Sequence, residues 1–332
     1  MTRIFSGVKP TGHLTLGNYL GAVRRWVEVD QHRADGLFSV VDLHALTVEH
    51  DPARVRRLSR QAATLLLAAG LDPALCTVFV QSHVDEHTRL SYLLECTATD
   101  GELRRMIQYK GKSVRALASG ESVRFSLLSY PVLMAADILA YRTDEVPVGE
   151  DQTQHVELTR DLAVRFNQRY GHTFSVPKAT QPPVATRVMD LQDPASKMGK
   201  SHDATAGIVY LLDDADVVRK KIMRAVTDSG QEVAYDPETK PGVANLLEIL
   251  AGCTAQEPAA LAEAYTSYGE LKRATAEAVI EALRPVRERH AVLAADPGQV
   301  DAVLKDGAER ARGMARPVVD AAYRAAGLLP AG

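Results

Sequence analysis

Arg3-Ile4-Phe5-Ser6-Gly7-Val8-Lys9-Pro10-Thr11-Gly12-His13-Leu14-Thr15-Leu16-Gly17-Asn18 decides the fold. Residues 3–6 read as a strand. Gly7 to Gly12 form a loop, and Leu16, Leu20, Val23 and Val27 then recur at helical spacing. The pattern repeats outward. Leu37-Phe38-Ser39-Val40-Val41 reads as a second strand, Asp51-Pro52 as an N-cap with Pro at N1, and Gly70 as the stop of that helix. Thr77-Val78-Phe79-Val80 is a third strand. A β-α-β-α-β order predicts an α/β protein with a Rossmann-type parallel sheet covered by helices on both faces.

Residues 124–141 read as a largely apolar helix broken or started at Pro131. Residues 145–149 read as a short strand ending in a turn, and residues 150–168 as a further helix. Beyond about residue 203 strand signals stop. Ala, Leu, Glu and Arg dominate, with breaks at Asp236-Pro237, Pro241-Gly242, Pro258, Pro285 and Pro297-Gly298. The expected division is a catalytic domain over 1–202 and an all-helical domain over 203–332, whose last helix has the option of packing back on the first domain.

Composition narrows the classes. The 332 residues suit one large domain plus a smaller one, and 46% are hydrophobic, enough for a sizeable core. No apolar run reaches the roughly 18–20 residues that span a bilayer, and residues 1–5 lack a secretory h-region, so a cytoplasmic protein is expected. Cys76, Cys96 and Cys253 are far apart and form no C-x-x-C pair, which points to inert thiols rather than a disulfide framework or metal cluster. The net charge is −3. Residues 203–332 carry 15 Lys and Arg against 20 Asp and Glu, and residues 1–202 carry 24 against 22. A nucleic-acid partner therefore needs local basic patches, such as Arg219-Lys220-Lys221-Ile222-Met223-Arg224, which equally reads as a solvated helix face.

Two segments carry candidate chemistry. At the first helix start, backbone N–H groups can meet phosphate, Gly17 allows close approach, and Thr15 and Asn18 offer donors. The same residues read equally as a Gly-containing cap without ligand. Lys197-Met198-Gly199-Lys200-Ser201 follows Asp193-Pro194 and so lies on a loop. Its two lysines suit a triphosphate whose charge moves onto leaving pyrophosphate, or simply a solvated surface.

Together these segments resemble the paired signatures of class I aminoacyl-tRNA synthetases, usually written HIGH and KMSKS. Residues 130–139 (Tyr-Pro-Val-Leu-Met-Ala-Ala-Asp-Ile-Leu), 146–152 (Val-Pro-Val-Gly-Glu-Asp-Gln) and 155–161 (His-Val-Glu-Leu-Thr-Arg-Asp) are similar to those of bacterial tryptophanyl-tRNA synthetases. So are residues 41–45, 101–106 and 225–229, and the resemblance covers nearly the whole chain. It implies that Asp137 accepts the indole N–H of tryptophan. Such a buried acceptor rejects side chains lacking the donor. Phe5, Val41, Met134 and Ile138 are implied as apolar walls. Tyr130 and Gln152 would hold the α-amino group, with His44 near the carboxylate end.

For ATP the resemblance implies Lys9-Pro10-Thr11, Gly17 and Asn18, the Gly149-Glu150-Asp151 turn with Asp151 on the ribose, and Val188 and Met198 by the adenine. Ser201 joins them, and Thr15, Asn18, Lys112, Lys197 and Lys200 would act on the phosphates. Read by itself, Lys112 lies in a basic loop, Tyr109-Lys110-Gly111-Lys112-Ser113. The implied activity is formation of Trp-AMP and pyrophosphate, then transfer to tRNA(Trp). Mg²⁺ accompanies ATP, no protein-bound metal cluster is called for, the chain forms a homodimer, and the helical domain reads the anticodon. The rivals are a tyrosine-specific relative, a small-substrate nucleotidyltransferase, and a regulatory paralogue that binds tryptophan without charging tRNA.

Three positions depart from the pattern. Lys9 stands where Gln is common, Leu43 replaces a common Gln, and Gly199 replaces the first Ser of the loop signature. Lys9 adds a cation beside the reacting groups. It is expected to alter recognition of tryptophan mimics more than of tryptophan, as in an auxiliary, inhibitor-tolerant copy. Gly199 should loosen its loop through backbone entropy.

Overall fold

The computed structural model describes residues 2–120, 122–149, 152–180, 187–199 and 205–329. Among them, five strands form one parallel sheet in the order β3-β2-β1-β4-β5. β1 (Arg3–Val8) pairs with β2 (Asp35–Val40) from Arg3 opposite Asp35 to Val8 opposite Val40. β2 continues onto β3 (Thr77–Val80), Leu37 facing Thr77. On the other side β1 meets β4 (Glu145–Pro147), and β4 meets β5 (Lys178–Thr180). The chain thus steps outward from β1 in one direction and later returns to step outward in the other. The strand order reverses at β1, and at such a switch point sheets of this kind bind ligands beyond the carboxyl ends of their strands. β5 has no sequence counterpart in the reading above: three residues at a sheet edge carry too little periodicity to be seen.

Both sheet faces are apolar, as a parallel sheet requires. Phe5, Leu37 and Phe79 point into one cluster, and Val8, Phe38, Val40, Val78 and Val80 into another. After β1 the chain enters α1 (Leu16–Asn18), runs through wider π-type turns at Tyr19–Val23 and Trp26–Asp30, and ends in α2 (Gln31–Arg33). α3 (Pro52–Ala69) starts at Asp51, whose carboxylate accepts from the N–H groups of Ala53 and Arg54, and ends at Gly70 in a left-handed conformation at φ +117°.

α4 (Glu86–Glu95), α5 (Asp100–Arg105), α6 (Ile107–Ala118) and α7 (Phe125–Leu139) follow. α7 begins at Phe125 and runs straight through Pro131. Burial of Leu127, Leu128, Val132, Ala135 and Leu139 outweighs the one backbone bond that Pro131 removes. α8 (Thr153–Tyr170) packs on α7.

The remaining described elements are helical: α9 (Ala215–Met223), α10 (Pro241–Thr254), α11 (Pro258–Ala262), α12 (Tyr268–Ala295) and α13 (Pro297–Ala325). Pro285, expected to break the chain, lies inside α12, flanked by the buried Leu283 and Val286. Apolar residues of α10 and α12 join those of β2, β3 and α3 in one continuous cluster across residue 203. α13 lies along the β3 edge. Gly307 lets its backbone come so close that an added Cβ would stand 1.9 Å from the Val78 carbonyl oxygen. Arg310 donates to the Cys76 carbonyl, Arg312 to that of His83, and Tyr323 to that of Arg89. No helix among the described residues is long and apolar enough to cross a membrane.

Candidate active site

α7 presents Tyr130, Met134 and Asp137 at i, i+4 and i+7, on one helix face. Asp137 is only 1% exposed, yet it is ionised. Burial opposes its charge, but the electrostatic attraction and hydrogen bonds of His87 and His44, whose N–H groups point at it, prevail and hold the carboxyl down at about 2. Three side chains donate to it: His44 Nε2 to Oδ2 at 2.8 Å, His87 Nδ1 to Oδ1 at 2.5 Å, and Gln81 Nε2 to both oxygens at 2.8 and 2.9 Å. The Gln81 amide is itself oriented, because its Oε1 accepts from the Leu43 N–H at 3.0 Å.

Around this carboxylate the expected walls take different positions. Phe5 is buried and stacks on Tyr141 at 5.8 Å and 10°. Ile138 is fully buried, Met134 is half-buried against the same cluster, and Val41 is half-buried beside Gly7. His44 is brought to Asp137 by the short helical turn Leu43–Thr47, which packs on α7. Its ring also stands edge-on to Tyr130 at 6.2 Å.

Tyr130 links the carboxylate region to a cationic one. Its hydroxyl bonds His155 Nε2 at 2.9 Å, and burial pushes its pKa up to about 12, so it remains a phenol. Lys112 Nζ sits 5.3 Å over its ring. Lys9 extends from the loop after β1, with Pro10 buried and Thr11 half-buried beside it, and donates to Thr47 Oγ1 at 3.1 Å. Burial and the nearby charge of Lys112 lower the Lys9 ammonium to about 8. Lys9 and Lys112 therefore lie near enough to repel each other, with Lys112 over Tyr130. Gln152 caps α8 half-buried, its N–H bonded to the Gly149 carbonyl at 2.9 Å.

The two signature segments touch. A Cβ on Gly17 would lie 3.4 Å from the Met198 carbonyl oxygen and 3.5 Å from Val188 Cβ. Thr15 and Asn18 form a reciprocal cap: Thr15 Oγ1 accepts from the Asn18 N–H, and Asn18 Oδ1 from the Thr15 N–H at 3.0 Å. The Asn18 oxygen is thereby used, and the group its side chain has left to offer a ligand is the amide N–H₂.

The Lys197 segment folds back as a hairpin. Met198 N–H bonds the Val188 carbonyl at 3.1 Å, and Met189 bridges Lys197. Val188 and Met198 are buried in the first apolar cluster, and Lys197 is exposed. Asn245 of α10, itself buried, fastens this hairpin with both ends of its amide, one to Met189 N–H at 2.8 Å and one to its carbonyl at 3.0 Å. Glu150, Asp151, Lys200 and Ser201 lie outside the described residues. The basic run 219–224 is largely engaged within the chain: Arg219 pairs with Asp216 and Glu277, and Lys221 with Asp213 at 2.7 Å.

Residues 1–284 match the family described as tRNA synthetases class I (W and Y). The chain belongs to this family. It is 78% identical over 330 residues to tryptophan--tRNA ligase 1 of Streptomyces coelicolor, covering 99% of this chain and 98% of that one. Its structure resembles tryptophanyl-tRNA synthetase of Mycoplasma pneumoniae, with a TM-score of 0.91, 35% identity and coverage of 99% and 98%. It also resembles the Campylobacter jejuni enzyme solved with ADP and tryptophan, at 0.82 and 32%, covering 98% and 100%.

In a class I synthetase the protein need supply no nucleophile, since the amino-acid carboxylate is already ionised and the work is positioning and charge stabilisation. The convergence of Asp137, Tyr130, Lys9 and Lys112 suits that task. Sequence reading missed Gln81, His87, Tyr141 and Asn245. Gln81 had one signal, an amide directly after an apolar strand at the carboxyl end of a parallel sheet. The other three arrive from separate elements, and no spacing links them.

Proposed function

We propose that this class I synthetase activates L-tryptophan with ATP and transfers it to tRNA(Trp). The observation that carries the reading is the ionised Asp137 carboxylate, buried on a helix whose Met134 and Ile138 join Phe5 in an apolar cluster, in a chain so similar to tryptophan--tRNA ligases. A buried acceptor of this kind favours an indole N–H and penalises a ring that leaves it unpaired. Tyr130 and Gln152 take the α-amino group. A tryptophan carboxylate oxygen attacks the α-phosphate in line, the new O–P bond forms, and the bond to pyrophosphate breaks. Lys112, Lys197 and Lys200 receive the charge that moves onto pyrophosphate. Mg²⁺ enters with ATP and neutralises phosphate oxygens. The terminal ribose hydroxyl of the tRNA then displaces AMP.

Residues 203–332 carry the anticodon contacts in this reading, and the cytoplasm is where tRNA and ATP are met. A second copy of the chain covers α6, of which no residue is buried and whose Ile107, Val114 and Leu117 are about two-thirds exposed or more. The test is ATP–pyrophosphate exchange with tryptophan and with tyrosine, followed by charging of tRNA(Trp) and of an anticodon variant. Expected are exchange with tryptophan alone and reduced charging of the variant. Exchange with tyrosine instead, or exchange with tryptophan but no charging, overturns the reading.

A further inference from the structure

Behind Asp137 stands a second layer of buried side chains. His87 is fully buried between Asp137 and Tyr141: its Nδ1 meets Asp137 Oδ1 at 2.5 Å, and its Nε2 meets the Tyr141 hydroxyl at 2.7 Å. Burial raises the Tyr141 pKa well above its ordinary value, so the group stays a phenol and has a proton to donate. With the phenol O–H donated to Nε2, the imidazole hydrogen lies on Nδ1, directed at Asp137. Tyr141 is clamped in turn. Phe5 stacks on one face at 5.8 Å, and Phe79 stands against it at 5.9 Å and 63°. The phenol, imidazole and carboxylate form one chain without water access, in which each orientation is set by the next.

We propose that His87 and Tyr141 are positioning residues for indole recognition: Tyr141 fixes which nitrogen of His87 donates, and His87 fixes the direction of the Asp137 lone pair offered to the substrate. The inference rests on the reading of Asp137 as the tryptophan acceptor. A carboxylate accepts about four hydrogen bonds in all. His44, His87 and the Gln81 nitrogen, which spans both oxygens, already make four contacts, so a substrate N–H is accepted only in place of one of the two Gln81 contacts, in a direction the two imidazoles set. Loss of the Tyr141 hydroxyl lets His87 adopt the other tautomer, in which Nδ1 is a lone pair facing the carboxylate. The carboxylate then turns away, and the advantage of a substrate N–H falls.

The experiment compares tryptophan with 3-benzothienylalanine, in which sulfur replaces the indole N–H, by ATP–pyrophosphate exchange. The proteins are the full chain, Tyr141→Phe, His87→Leu, His87→Asn and Asp137→Asn. Tyr141→Phe keeps the ring stack. Its ratio of kcat/KM for tryptophan over the analogue is expected to fall about tenfold, mostly through the KM for tryptophan. His87→Leu should lower the ratio further. His87→Asn, whose amide nitrogen takes the place of Nδ1, should restore most of it. Should His87→Leu not fold, Tyr141→Phe and His87→Asn decide alone. A collapsed ratio in Asp137→Asn with an unchanged ratio in Tyr141→Phe and both His87 variants overturns the positioning role and leaves the acceptor intact. A wild-type protein that does not discriminate between the two substrates, or an Asp137→Asn protein that discriminates as wild type does, overturns both.

Discussion

Lys9 illustrates what one residue contributes here. The resemblance located it beside the substrates, but only the fold brings it against Thr47 and near Lys112. Its ammonium titrates at about 8 rather than 10.5, because burial and a second cation both disfavour the charged form. Between these values the unfolded chain holds a proton that the folded chain has released, so this group's contribution to stability rises with pH through that window. Below about pH 8 the folded protein bears the full cost. Lys9→Gln is therefore expected to raise stability at pH 7 by about 1 kcal/mol, with solvent screening discounted, and the gain should vanish above pH 10.5. Thermal melts at pH 7 and pH 10.5 check this, and a gain that persists at pH 10.5 rejects it. The same variant should lose any inflection near pH 8 in the KM for tryptophan and should change inhibition by a tryptophan-like antibiotic more than that KM. Unequal visibility at this scale has a physical cause. Asp137 was readable because it sits in a local motif of α7, whereas Gln81, His87 and Tyr141 reach it from the end of β3, from α4 and from beyond α7, and only packing joins them.

Elements were legible where capping and periodicity were strong. Asp51-Pro52 and Gly70 mark α3 to the residue, because each satisfies or releases a defined set of backbone groups. Pro131 and Pro285 misled for the opposite reason: tertiary burial of their helices exceeds the one hydrogen bond each proline forfeits. The hairpin 188–198 had no such local signal, since part of its support is Asn245, more than forty residues away in the chain. Removing that amide leaves the Met189 N–H and carbonyl without their side-chain partner. Asn245→Ala is expected to cost about 1–3 kcal/mol and to loosen the segment that carries Lys197. ATP–pyrophosphate exchange should slow and the KM for ATP rise, with the affinity for tryptophan nearly unchanged by direct titration. An equal loss of tryptophan affinity would show that Asn245 acts on the whole fold rather than on the lysine loop.

At the scale of the molecule, the sheet and the helices share one apolar cluster, and α13 closes the β3 edge, so most apolar faces are already covered within one chain. α6 is an exception among the described residues. Met106 at its entry is buried, but along the helix itself Ile107 is 71% exposed, Val114 65% and Leu117 66%, with Phe125 at the start of α7 exposed by 74%. A helix of 12 residues gains little from its own backbone in water and depends on tertiary burial of an apolar face. Among the described residues that burial is not found. α6 also carries Lys112, so whatever covers the helix also fixes the position of a cation over Tyr130. A symmetric pair of copies would satisfy both requirements, because an isologous interface presents the same apolar face twice. Val114→Asp combined with Leu117→Asp places two charges on that face and is expected to shift the protein from dimer to monomer by sedimentation. The exchange rate should fall at least tenfold through kcat, while tryptophan still binds near Asp137, since Lys112 is no longer held. A wild-type protein that sediments as a monomer, or a monomeric double variant with full exchange activity, would separate the α6 face from catalysis and send its exposed residues in search of a different partner.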